Sequence, residues 1–162
     1  MSHQILPECY ADTLLVEMLG FERPNHQLSI GSALNALEKK FKNRPAVAVI
    51  DNDKVKPKSF DQFQLADEQH GIQVWTKPET RHAVLVVCPA FEDWVFENAA
   101  QVEVSPEKYG FRSRKYFRET CKRQNVAENQ QVKQFLNTLK QKNAPGLGWL
   151  RDSIQAFLHP KS

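Results

Sequence analysis

A chain of 162 residues, 41% of them hydrophobic, has room for one domain around one core and none for a second of full size. No apolar run approaches the roughly 20 residues that cross a bilayer, and the opening Met1-Ser2-His3-Gln4-Ile5 has neither a basic flank nor a long apolar stretch, so a cytoplasmic protein with no membrane partner is expected. The net charge of +3 is too small to announce a partner by itself, and Cys9, Cys88 and Cys121, with no C-x-x-C spacing, argue against a disulfide framework or a zinc site.

Gln4-Ile5-Leu6-Pro7 reads as a short strand, after which the apolar spacing from Thr13 to Leu19 predicts a helix that stops at Gly20. Asp12 fits the N-cap of that helix, where a carboxylate accepts a backbone N–H. Glu8 falls where the strand leaves the core, a place packing does not explain. His26 to Ile30 is a second strand candidate, and Gly31-Ser32 opens a helix through Ala33, Leu34, Leu37 and Phe41. That helix ends among Lys39, Lys40 and Lys42, cations its C-terminal dipole favours.

Ala46-Val47-Ala48-Val49-Ile50 is short and apolar enough for one fully buried strand, and it stops abruptly at Asp51-Asn52-Asp53-Lys54. Acids and amides are common in turns. Carboxylates at the carboxyl end of an α/β strand also lie where ligands bind, and two of them one residue apart can converge on a hard divalent cation. Residues 54–71 read as loop with a short helix around Phe60 to Glu68. Ile72 to Trp75 and His82 to Cys88 read as two further strands, the second apolar enough to be central. It too runs into acid, at Glu92 and Asp93, which serve either a helix's first turn or the same metal rim. Strand and helix alternate from Gln4 to Asp51, so the expected fold is α/β: a mostly parallel central sheet with flanking helices in Rossmann-like layers.

Beyond residue 104 the pattern turns helical: Arg114 to Gln124, Ala127 to Lys142, and Leu147 to Leu158 after the break Asn143-Ala144-Pro145-Gly146. The charge also changes sign. Residues 1–104 carry 10 Lys/Arg against 15 Asp/Glu, or −5, whereas residues 105–151 carry 11 against 3, or +8. Arg112, Arg114, Lys115, Arg118, Lys122 and Arg123, interleaved with Tyr109, Phe111, Tyr116 and Phe117, are candidates for contacting phosphates and bases. The whole of 1–162 is expected to be a single domain, with 1–104 the α/β metal-binding core and 105–162 a basic helical extension packed on it.

A strand followed by Glu8-x-x-x-Asp12 and an apolar helix, with a later buried strand ending in Asp51-x-Asp53, resembles the Toprim domain shared by topoisomerases, bacterial primases, small ribonucleases, RecR-like repair proteins and OLD nucleases. The likeness covers roughly the first hundred residues. Phe91-Glu92-Asp93-Trp94 resembles a segment of small standalone Toprim-related proteins, in a place where OLD-type nucleases supply another acid. Cys9 stands where family members usually carry Gly, and Lys54 follows the second acid pair where a small residue is usual. The resemblance implies magnesium- or manganese-dependent phosphodiester chemistry on DNA or RNA, with Asp51 and Asp53 holding the metal. Glu8 would be a further ligand or a general base or acid, Asp12 and Glu92 would hold a second metal, and Lys54 would contact phosphate. It also implies phage defence or RNA processing as settings, alone or with a larger ATPase partner. The chain is too short for a topoisomerase or a primase. The competing expectation is a non-catalytic RecR-like module that binds nucleic acid or scaffolds a partner.

Overall fold

A computed structural model describes residues 3–52 and 55–159. Among these residues five strands form one mixed sheet: β1 (Ile5–Pro7), β2 (Ala46–Asp51), β3 (Gln64–Gln69), β4 (Ile72–Thr76) and β5 (His82–Val87), in the order β1-β2-β5-β4-β3. The first three in that order are parallel, with Ile5 opposite Val47 and Asp51 opposite Val87. The other two extend the sheet as an antiparallel hairpin. The apolar runs foreseen for β2 and β5 thus lie side by side, every residue of both buried.

A strand's period of two divides these runs between two cores. Ile5, Val47, Val49, Leu85 and Val87 face one side, where they meet α1 (Tyr10–Met18), α3 (Phe91–Gln101), α5 (Gln130–Gln141) and α6 (Pro145–Leu158). Leu6, Ala46, Ala48, Ile50, Val84 and Val86 face the other, covered by α2 (Ile30–Lys40) and by Phe60 and Phe63. The remaining helix, α4 (Arg114–Cys121), packs on α3 and sends Phe117 into the larger core. The stripe Val132, Phe135, Leu136, Leu139 of α5 and the residues Leu147, Leu150, Ile154 of α6 lie in that same core, so the basic helices and the strands share one apolar interior.

Two expected elements differ. No strand forms at His26 to Ile30, because Ser29 caps α2, its Oγ accepting the Ser32 N–H at 3.0 Å, and Ile30 is already helical. The residues just before it still lie along β1: the Asn25 and Gln27 N–H groups donate to the Ile5 and Pro7 carbonyls, both at 2.8 Å. The helix expected around Phe60 to Glu68 is a 3-10 turn over Lys58–Gln62 followed by β3. Phe60 and Phe63 anchor the turn in the smaller core, and the polar residues after them pair by backbone alone on an exposed edge. At the C-terminal side, α6 opens at Pro145, a residue suited to the first helical position because its missing N–H has no partner to lose there.

Two glycines pack against one edge of the Trp94 indole in α3. A Cβ on Gly71 would come within 2.7 Å of its Cδ1, and one on Gly146 within 2.8 Å of its Nε1. The indole N–H donates to the His70 carbonyl at 2.9 Å, and one turn on, Asn98 accepts the Gly146 N–H at 2.7 Å. The β3–β4 turn and the start of α6 therefore both close onto α3.

Candidate functional site

Because β1, β2 and β5 are parallel, their carboxyl ends share one edge of the sheet. Glu8 is the first residue past β1, its N–H still bonded to the Val49 carbonyl at 3.0 Å, and Asp51 is the last residue of β2. Three residues beyond β5, α3 begins with Phe91 and Glu92. A cleft of about 360 Å³ opens on this edge, with Glu8, Asp51 and Glu92 on its acidic side and Arg118 and Lys122 among its other lining residues. It is the place where α/β folds bind ligands.

Glu8 and Asp12 are almost wholly buried, at 3% and 0% exposure. Asp12 is not the N-cap of α1. Cys9 takes that position, its Sγ accepting the Asp12 N–H at 3.3 Å, and Asp12 sits inside the first turn. One ligand atom each from Glu8, Cys9 and Asp12 lie within 4.8 Å of one another. Oxygens on opposite sides of a magnesium ion stand about 4.2 Å apart, so the cluster is gathered close to coordination spacing. Burial pushes the Cys9 thiol above its ordinary range, and the Asp12 carboxylate adds to that. The two carboxylates of the cluster offer the oxygen donors that suit a hard cation such as magnesium or manganese.

Asp51 does not belong to that cluster. Both its oxygens accept the Phe91 N–H, each at 3.1 Å, at the start of α3. Glu92 is 9% exposed and meets Arg118 with Nε to Oε1 at 3.5 Å, while Asp93 bonds Arg114 at 2.8 Å. Two ion pairs thus tie α4 to the first turn of α3. Asp53 and Lys54 lie outside the described residues.

No protein-family model, curated protein or solved structure matches this chain.

The basic segment divides by position. Arg118 and Lys122, four residues apart on one helix face, line the cleft. Arg114 is engaged by Asp93 and lies over the Phe96 ring, 5.7 Å from its centroid. Arg112, Lys115 and Arg123 are exposed and are not among the residues lining the cleft. The interleaved aromatics are core rather than stacking platforms: Phe111 and Phe117 are 1% and 0% exposed, and Tyr109 stacks on Phe135 while its hydroxyl pairs with Thr138. Of the four, Tyr116 alone is exposed. Their spacing met the interior of the helical layer, where aromatic area is worth most.

Cys9, placed by its position after Glu8 to line the site, does line the cleft, which also contains residues that sequence reasoning missed: Tyr10, His26, Leu28 and Cys121. Thr13 donates its hydroxyl proton to the Cys9 carbonyl at 2.8 Å, so at 2.6 Å from His26 it accepts from the imidazole Nδ1–H. His26 is thereby fixed in the cleft wall, stacked on Tyr10 with ring centroids 4.6 Å apart. The only sequence signal for Cys9 and Tyr10 was adjacency to Glu8, and nothing in the spacing brought residues 26–28 to the same place.

Proposed function

We propose that this cleft holds a divalent cation, magnesium or manganese, and hydrolyses phosphodiester bonds in nucleic acid, as the Toprim resemblance implies. The observation that carries the reading is the convergence of Glu8, Asp51 and Glu92, from the ends of three different elements, on one cleft that Arg118 and Lys122 also line. Acid beside base at a sheet's carboxyl edge fits an anionic backbone met by a cation.

Glu8 and Asp12 would hold the ion, with Asp51 beside them. Bound there, it would supply Lewis-acid polarisation of a phosphoryl oxygen. Arg118 and Lys122 bind and orient the phosphates of the strand, a guanidinium and an ammonium supplying directional and point-charge contacts respectively. A carboxylate of the Glu8 and Asp51 group not engaged by the ion takes the proton of the attacking water. The test is incubation of the protein with labelled DNA and structured RNA, in magnesium, manganese or chelator. Cleavage that needs metal and vanishes in Asp51→Asn is expected, and an unchanged rate in that variant would overturn the assignment.

A second reading has its own support. Asp51 accepts the Phe91 N–H on both oxygens and Glu92 is paired with Arg118, so these acids also serve the packing of α3 and α4. On that reading the chain is a RecR-like module that binds nucleic acid or a partner such as an ATPase without cutting. Binding with no cleavage in any metal would favour it.

A further inference from the structure

The cleft has a second wall that hydrolysis leaves unused. Tyr10 and His26 form a stacked pair at an interplanar angle of 21°, and Leu28, next along the same segment, keeps 81% of its surface exposed. An exposed leucine on a loose loop would mean little. Here the backbone just before it is pinned to β1 through Asn25 and Gln27, and His26 is pinned through Thr13. A fixed aromatic and aliphatic patch therefore shares one cleft with two cations, Arg118 and Lys122, over buried acids.

These chemistries match the parts of a nucleotide: a flat apolar base, a phosphate, and a reacting linkage between. We propose that the cleft takes one unpaired nucleotide, its base against Tyr10, His26 and Leu28 and its phosphate toward Arg118 and Lys122, which makes single-stranded nucleic acid the preferred substrate. The inference rests on reading the cleft as a nucleic-acid site. Size is compatible with this, since about 360 Å³ is near the lower end for ligand pockets. Depth points the same way. With the lining acids Glu8 and Asp51 at 3% and 7% exposure, a linkage must enter a recess to reach them, and a duplex keeps each base stacked inside the helix, away from any such wall. Stacking is tolerant of sequence because every base has a π-face, so the preference is for an unpaired strand and not for particular bases.

Fluorescence anisotropy on the full chain tests this, with calcium in the buffer and a fluorescein-labelled mixed-sequence strand of about ten nucleotides as the probe. The comparisons are the same strand annealed to its complement and an abasic strand of equal charge. The single strand is expected to bind at least about tenfold tighter than either. Leu28→Ser, on an exposed side chain, and Tyr10→Ala should each weaken single-strand binding about fivefold or more, with Tyr10→Phe restoring it and thermal melts confirming the fold. Equal binding of single strand and duplex, or of abasic and intact strands, overturns the inference. Tight single-strand binding without metal-dependent cleavage would retire the hydrolytic reading and leave this one standing. Duplex cleaved in magnesium as fast as single strand would do the reverse.

Discussion

Asp51 accepts the backbone N–H of Phe91 on both carboxylate oxygens, at 3.1 Å each, across forty positions of sequence. Ala90, the residue in the cap position of α3, makes no side-chain capping bond. Asp51 does that work from the neighbouring strand end, where its charge also favours the helix dipole. Replacing it with Ala should cost about 0.5–2 kcal/mol, the range for a lost N-cap, and Asp51→Asn should cost less because an amide oxygen still accepts. Chemical denaturation measures both, and equal stability of the two variants would remove the capping role. Under the proposed function both lose metal-dependent cleavage, so the Asn variant separates charge from architecture.

Glu8 and Asp12 confine two carboxylates in a buried cluster with a thiol. If a divalent ion binds there, it stabilises the folded chain by about 2.7 kcal/mol at a hundred times its dissociation constant. For a domain of this size that is a rise of roughly 5–10 °C in melting temperature. Thermal melts in manganese, magnesium and chelator read it directly. Glu8→Gln should lose most of the metal-induced rise, because an amide oxygen is a weaker ligand than a carboxylate for a hard cation.

Arg118 and Lys122 line the cleft, whereas Lys39 ends a helix on the opposite face of the sheet. Arg118→Ala and Lys122→Ala should each weaken nucleic-acid binding and lower the slope of log affinity against log salt by about 1. Lys39→Ala should change neither. A uniform response of all three would mean the charge acts as a diffuse field rather than at the cleft.

Burial, with the Glu68 carboxylate next in size, pushes the Cys88 thiol from 9.0 up to about 11, against a pull from Lys56. As pH climbs, the unfolded chain releases this proton first. The thiol's contribution to stability is therefore full below pH 9.0 and is lost as pH rises towards 11. Denaturation midpoints across that window should fall more steeply for wild type than for Cys88→Ser. At pH 8, alkylation of Cys88 in the folded chain should run about tenfold slower than in guanidinium, because the thiolate is the nucleophile and its smaller fraction is offset in part by its greater basicity.

The sequence disclosed the parallel centre of the sheet because β2 and β5 are buried on both faces and carry their signal in composition. It hid β3, whose six residues are all exposed and whose pairing is a matter of backbone alone. Glu8, Asp51 and Glu92 were legible because a buried strand that breaks into charge marks a sheet edge. The roles of Cys9 and His26 were not, since one depends on which residue adopts extended geometry before a helix and the other on a hydroxyl thirteen positions away. The aromatic residues of the basic segment misled for a related reason: Phe117 offers the same letter to a base or to Phe135, and only the packing decides.

The clasp on Trp94 has a mechanical consequence for the cleft. With two glycines against the Cδ1–Nε1 edge of that indole and Asn98 bonded to the start of α6, the helix bearing Glu92 is a jaw braced by two other elements. The facing jaw, α4, is fastened to it by the ion pairs Arg114–Asp93 and Arg118–Glu92, whose arginines are about half exposed and within reach of salt. Phe117, 0% exposed, holds α4 in the shared core, so salt loosens only this outer contact and leaves the helix seated.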